Sequence, residues 1–262
     1  MYIPGLLSVT FRQLTADQII ELCAENGLLA LEWGGDIHVP HGDVAAAIGV
    51  GEATRAAGLA VAAYGSYYRC DEQADQPDFA DVLASARALG APLIRVWAGT
   101  TGSAATTNED RQRIVADLKR IGAIAAEVGI EITIEYHANT LTDDPDSALA
   151  LIQAVDLPNV KLYWQTSNGQ STDYSAAVLK RVKPYLSHLH VFHWNFGPDA
   201  IERRPLAEAF ETWQHFLKLA EPPAGETRAL MLEFVRDDSP EQLADDARTL
   251  IRLIDSHQQA LH

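Results

Sequence analysis

The sequence predicts one α/β domain of the (β/α)8 TIM-barrel class, with residues 1–262 forming a single unit. Three observations predict it: short apolar segments alternate with amphipathic ones from end to end, they are evenly spaced, and 262 residues is the length that such a barrel takes. An open doubly wound sheet is the competing architecture. It would carry a glycine-rich phosphate loop after the first strand, and Gly49-Val50-Gly51 instead lies inside a helical run without a third glycine.

In chain order the expected strands are 6–10, 30–34, 60–66, 93–98, 131–138, 160–165, 186–194 and 229–235. The helical runs between them are 16–26, 43–57, 77–89, 108–128, 145–155, 173–183, 206–220 and 239–257. Thr15 supplies a capping hydroxyl to the first helix. In the fourth, Ile114, Leu118, Ile121, Ile124 and Ala125 form one apolar stripe. Ser239-Pro240 opens the last helix with a cap and a proline at its first position. Gly27, Gly58, Gly90 and Gly129 each stand between a helical run and the next strand, where helices end.

The formal net charge of −16 opposes binding to phosphate backbones and to anionic membranes. No apolar run approaches the length of a membrane span, and the first residues lack the basic and apolar regions of a signal peptide. Cys23 and Cys70 form no CxxC pair, so two reduced thiols in a cytoplasmic protein are expected. The partner class left is a small molecule, and a homo-oligomer is compatible with the sequence.

In a barrel of this kind the chemistry sits at the C-terminal strand ends. Alternation along 131–138 turns Ile132, Ile134 and Tyr136 to the helices and Thr133, Glu135 and His137 to the axis. A carboxylate there is costly unless it pairs, for which Arg95 is available, or binds a metal. Glu233 is the lone acid of Leu230-Met231-Leu232-Glu233-Phe234-Val235, with Leu232 and Phe234 expected to face the helices. On the seventh strand the period groups His188, His190, Phe192 and Trp194. His190 is the candidate ligand, beside the strand of Glu233; His188 reads as structural and His193 as substrate-facing. Gln165 closes the sixth strand with an amide oxygen. Two carboxylates, one imidazole and one amide oxygen suit a single divalent ion, Mn2+ or Mg2+ first and Zn2+ or Co2+ next. The absence of thiolates points to an open, catalytic site. Glu32 ends the second strand with His38 beyond it, and Arg95 and Trp97 end the fourth. Trp33, Trp97, Trp164 and Trp194 all stand at strand ends, an aromatic lining often used for sugars.

These residues resemble the xylose isomerase-like TIM barrels, the sugar phosphate isomerase/epimerase superfamily, over essentially the whole chain. The resemblance rests on Ile134-Glu135-Tyr136-His137, Leu189-His190-Val191 and Leu232-Glu233-Phe234. It implies metal ligation by Glu135, His190 and Glu233, with Gln165 where the family has an aspartate. That departure removes a negative charge and weakens or retunes the site. Where the family often has an aspartate three residues after the strand-seven histidine, this chain has His193. Arg204, in Arg203-Arg204-Pro205-Leu206, looks like the arginine of ketose 3-epimerases, without the glycines that follow it there.

The resemblance further implies a sugar isomerase or epimerase working through a metal-stabilised enediolate. Glu135 and Glu233 would be the acid/base pair, and Glu32, His38, Arg95, Trp97, His137, His193 and Arg204 would surround the substrate. A keto-inositol dehydratase-type lyase and a non-catalytic sugar binder with a weakened metal site are the alternatives. An apurinic-site nuclease of the same superfamily is at odds with the charge and the sparse ligand set. The scarcity of Lys and Arg near the mouth favours an unphosphorylated sugar.

Overall fold

The computed structural model describes residues 1–71, 76–167, 169–197 and 200–260. Its strands are β1 (Tyr2–Leu7), β2 (Ala30–Gly34), β3 (Ala60–Arg69), β4 (Leu93–Trp97), β5 (Glu131–Glu135), β6 (Val160–Trp164), β7 (Leu186–Val191), β8 (Trp194–Phe196), β9 (Ile201–Arg203) and β10 (Arg228–Leu232). The helices are α1 (Ala16–Glu25), α2 (Val44–Ala56), α3 (Phe79–Leu89), α4 (Asn108–Ala126), α5 (Pro145–Val155), α6 (Thr172–Val182), α7 (Phe210–Leu219) and α8 (Pro240–Gln259). Eight parallel strands close a barrel in the order β1-β10-β7-β6-β5-β4-β3-β2, and β8 and β9 form a separate antiparallel hairpin.

Two apolar layers hold this arrangement. The larger lies between the strands and the helices, where Ile132, Ile134, Leu162, Trp164 and Leu232 meet the buried stripes of α4, α6 and α8. The smaller fills the barrel itself with Ala30, Ala62, Ala63, Leu93, Tyr163, Ala229 and Met231. Alanines are frequent inside because an eight-stranded barrel leaves an interior only wide enough for side chains to fill. The capping signals act as expected: Thr15 completes a capping box with Gln18, and Ser239 caps α8 ahead of Pro240. Gly90 ends α3 in the left-handed region at φ 79°, which a residue with a Cβ would adopt only under strain.

The strand ends differ from expectation, and the differences all concern the mouth. β1 begins at Tyr2 rather than at residue 6, and Ser8–Phe11 folds into a buried 3-10 turn instead of continuing the strand. There Ser8 and Thr10 use their hydroxyls to accept from the backbone N–H groups of Gly34 and Phe234. β5 stops at Glu135, β7 at Val191 and β10 at Leu232, each short of the predicted end. Beyond β10, Phe234 takes φ 47°. That left-handed step breaks the alternation and turns its ring into the mouth, not toward the helices as the period implies. β3 runs three residues longer than expected, to Arg69, because a two-residue bulge at Ser66–Tyr67 shifts its register against β4. The β8–β9 hairpin was not anticipated; it delays the seventh helix, whose first turn, Leu206–Ala209, is 3-10. Among the described residues no helix is long and apolar enough to cross a membrane, and Cys23 and Cys70 are buried without a disulfide.

Candidate metal centre

Alternation delivers Glu32 from β2, Arg95 from β4, Glu135 from β5 and His190 from β7 to one level at the top of the barrel. Gln165 and Glu233 join them just past β6 and β10. All six are buried. Nδ1 of His190 is the point of convergence: it lies 3.3 Å from Gln165 Oε1, 3.5 Å from Glu135 Oε1 and 3.6 Å from Glu233 Oε2. Donor atoms of Glu135, His190 and Glu233 all lie within 4.8 Å of one another. Ligands about 2.1 Å from a common ion stand roughly 3 to 4 Å apart, so the spacing fits one divalent cation. The ring of Tyr163 lies 4.3 Å from that of His190 and floors the cluster.

The other faces of these groups are fixed. His190 Nε2 lies 3.3 Å from Glu32 Oε2, which orients the ring so that Nδ1 faces the cluster and could ligate an ion once deprotonated. Arg95 donates through Nε to Glu32 Oε1 at 2.6 Å and through Nη1 to Glu135 Oε2, where the Trp97 indole N–H also donates. Gly65 makes room for this: a Cβ there would stand 2.7 Å from Arg95 Nη2 and 2.9 Å from Glu32 Oε1. No hydrogen bond reaches the carboxylate of Glu233 among the described residues.

Charge states follow from these contacts. Burial pushes the Glu32 and Glu135 carboxyls up, but Arg95 and His190 outweigh it, holding Glu32 at about 2 and Glu135 well below the carboxylate range. For Glu233 burial prevails over the pull of His190, and its pKa is raised. Burial opposes charge on His190, yet Glu233, Glu135 and Glu32 together lift it to about 10. With an ion in place of the His190 proton, three buried carboxylates against one guanidinium would leave two negative charges, the complement of a divalent ion.

The structure brings Glu135, Gln165, His190 and Glu233 together, with His137 and Trp97 at the rim, 5.3 Å apart between ring centroids. Glu32 and Arg95, expected to grip substrate, instead lie beneath the site, each consumed by ionic partners on neighbouring strands. His38 is not at the mouth either. Its two nitrogens face Ser8 Oγ and the Leu14 carbonyl, because the buried 8–11 turn draws it away from the axis. His193 lies under the β8–β9 hairpin beside Trp213 and Glu208. Arg204 pairs with Glu202 and Glu208 on the hairpin's outer side, since the antiparallel turn carries it away from the cluster. Of the four tryptophans, Trp97 and Trp194 face the mouth. Trp33 donates to Thr54 on α2, and Trp164 packs on Trp213 and Phe216.

Above the cluster opens a cavity of about 260 Å3 walled by Tyr136, His137, Gln165, Trp194, Glu233 and Phe234. Three residues that the sequence reading passed over complete the surroundings. Tyr163 shares the inward parity of Gln165 and was within reach of the strand period. Tyr67 and Arg69 were not, because nothing local announces the β3 bulge.

The xylose isomerase-like TIM barrel model matches residues 20–254. The 3-dehydroshikimate dehydratase of Bacillus anthracis is 30% identical over 103 residues, which is 37% of this chain and only 35% of that protein. In shape, the probable 3-DHS dehydratase of petrobactin synthesis from Bacillus anthracis matches with a TM-score of 0.77 at 19% identity, over 96% of this chain and 99% of that one. D-psicose 3-epimerase from Clostridium cellulolyticum H10 matches at 0.66 and 16%, over 99% of each chain. A xylose isomerase-like barrel from Mycobacterium smegmatis in complex with magnesium matches at 0.71 and 16%, over 98% of each. At such identities these superpositions speak for the fold alone, whereas the family match spans most of the sequence: the chain belongs to the xylose isomerase-like TIM barrel family.

Proposed function

We propose that the protein is a divalent-metal-dependent enzyme that shifts a proton beside the carbonyl of a sugar-like substrate, with isomerisation as the outcome. One observation carries this reading: the two mouth carboxylates are unequal. Glu135 is clamped, its Oε2 taken by Arg95 and Trp97 and its Oε1 turned toward His190. Glu233 has a carboxylate without a hydrogen-bond donor among the described residues and a raised pKa. A clamped carboxylate suits ligation, and one without a hydrogen-bond donor suits proton transfer.

In this reading Glu135, Gln165 and His190 hold the ion, and Glu233 reaches it with one oxygen. Bound there, the ion supplies Lewis acidity to a carbonyl oxygen. Glu233 would take the proton from the adjacent carbon with its other oxygen and return it to the carbonyl carbon, while the proton of the adjacent hydroxyl passes to the former carbonyl oxygen. Trp194 and Phe234 shield that carbon from water. Epimerisation needs a second carrier on the opposite face. With Glu135 held by Arg95 and Trp97, the expected acid/base pair reduces to Glu233 alone.

A dehydratase-type lyase is the second reading, favoured by the sequence similarity to a 3-dehydroshikimate dehydratase over 103 residues. It shares the first step. Glu233 then passes the proton to a departing hydroxyl, which leaves as water.

The test is hydrogen exchange in D2O, followed by NMR, on Mn2+-loaded protein with ketoses and keto-inositols. Glu233→Gln should slow exchange by at least about 100-fold with Mn2+ still bound, whereas Glu135→Gln should lose Mn2+. Product spectra separate isomer from dehydrated product. Protein that takes up no Mn2+, or a Glu233→Gln variant that exchanges at the wild-type rate, would sink the proposal.

A further inference from the structure

We infer that Tyr67 touches the substrate across from the metal ligands and carries a proton between its two reacting oxygens; the inference rests on the isomerisation proposed above. That reaction moves two protons. One travels between carbons and is the work of Glu233. The other leaves the hydroxyl and ends on the former carbonyl oxygen. Glu135, clamped by Arg95 and Trp97, does not serve it.

The ligands come from the ends of β5, β6, β7 and β10, which are consecutive around the barrel and leave the side of β1 to β4 to the substrate. Tyr67 stands on that side, since β3 lies diametrically across from β7 in the closed order. The bulge at Ser66–Tyr67 takes it out of the ladder with β4, and its φ is 56°. A bulky side chain adopts that left-handed region only under strain, and such strain concentrates where a site needs it. The ring stands edge-on to Trp97 at 5.2 Å and lies 5.7 Å from the Arg95 guanidinium. That places it at the rim, beside the two residues that clamp Glu135.

The phenol is equipped for the task. Its oxygen accepts from Arg12 Nη2 at 2.7 Å, and Arg12 is held in turn by Asp36 at 2.8 Å. The bond from Arg12 occupies a lone pair and leaves the O–H proton to be given. Burial raises the Tyr67 pKa to about 12 against the pull of Arg95 and Arg12, so the proton is in place at neutral pH. Arg12 also meets the negative charge that develops on the oxygen in transit. The step balances. The phenol gives its proton to the former carbonyl oxygen as that O–H bond forms, takes one from the neighbouring hydroxyl as that O–H bond breaks, and ends as it began.

The test compares Tyr67→Phe, which keeps the ring and loses only the hydroxyl, with the wild-type protein, both full-length and loaded with Mn2+. Glycolohydroxamate, whose two adjacent oxygens copy the reacting pair, needs no turnover. Calorimetric titration should show it binding about tenfold more weakly to Tyr67→Phe, while Mn2+ titration gives the same affinity for both proteins. With ketoses in D2O followed by NMR, isomer formation should fall by at least about 100-fold, and exchange of the carbon-bound hydrogen should stay within about threefold because Glu233 is untouched. Equal hydroxamate affinity in the two proteins overturns the inference, as does isomer formation at the wild-type rate. Exchange that falls together with isomer formation overturns it too, since Tyr67 would then serve the carbon step. Wild-type protein that takes up neither Mn2+ nor hydroxamate sinks the metal reading first, a failure distinct from that of Tyr67 alone.

Discussion

At the scale of single residues, Glu32 shows how position changes a role. It has the strand-end placement of a substrate contact, yet it is fully buried and bonds a partner 158 residues away in sequence. One oxygen holds Arg95 and the other orients the His190 ring so that Nδ1 faces the cluster. Both ends of the ligand set thus depend on it, His190 directly and Glu135 through Arg95. Replacing Glu32 by Gln keeps the shape but removes the charge that orients the ring and pairs Arg95. Mn2+ affinity should fall by about 10- to 100-fold, the range for groups that orient metal ligands. Mn2+ titration with circular dichroism as a fold control measures it. Unchanged affinity would mean that the ring is held by packing against Tyr163 instead.

At the scale of elements, the regular parts were legible and the exits were not. The 3.6-residue stripe of α4, the Thr15 and Ser239 caps and the helix-ending glycines are local signals, and the corresponding elements form within a residue or two of expectation. Glu135, Gln165, His190 and Glu233 were legible for the same reason, since strand parity alone turns them inward. What failed was set by distant partners. The bulge at Ser66–Tyr67 is followed by Tyr68, which bonds Asp117 on α4, a partner 49 residues away that nothing local in the sequence announces. Arg204 leaves the mouth because β8 and β9 pair with each other. The turn after that hairpin is anchored on α8 by Asp246, whose Oδ1 accepts from the Leu206 N–H at 2.8 Å and from Gln242 Nε2 at 2.9 Å. Burial raises the Asp246 pKa despite those bonds. A carboxyl raised in the folded state stabilises below its unfolded pKa, and that contribution is lost as pH rises through the folded value. At neutral pH its charge is therefore a burden. Asp246→Asn keeps the accepting oxygen, so it should be at least as stable as wild type to urea at pH 7. The advantage should vanish at pH low enough to protonate Asp246. A loss of stability at pH 7 would show that the anchor needs the charge.

At the scale of the whole molecule, folding assembles a site that disfavours its own metal-free state. The outer surface spreads its acids in water, where they cost little. The barrel instead buries three carboxylates around one guanidinium, and an imidazolium at His190 offsets only part of the excess. With a divalent ion in place the buried charges balance. Ion binding to the folded chain alone then adds about 2.7 kcal/mol at a hundred times the dissociation constant, which for a domain of this size moves Tm up by about 5–10 °C. Thermal unfolding should show that rise with Mn2+ or Mg2+ and its reversal with EDTA. The decisive comparison is with Glu233→Gln, which removes one of the uncompensated charges without emptying the space. Metal-free, this variant should melt at or above the wild-type temperature, and it should gain less from Mn2+. Were it to melt lower, Glu233 would be a structural partner of His190, and neither its burial nor its freedom from hydrogen bonds could be read as the mark of a proton carrier.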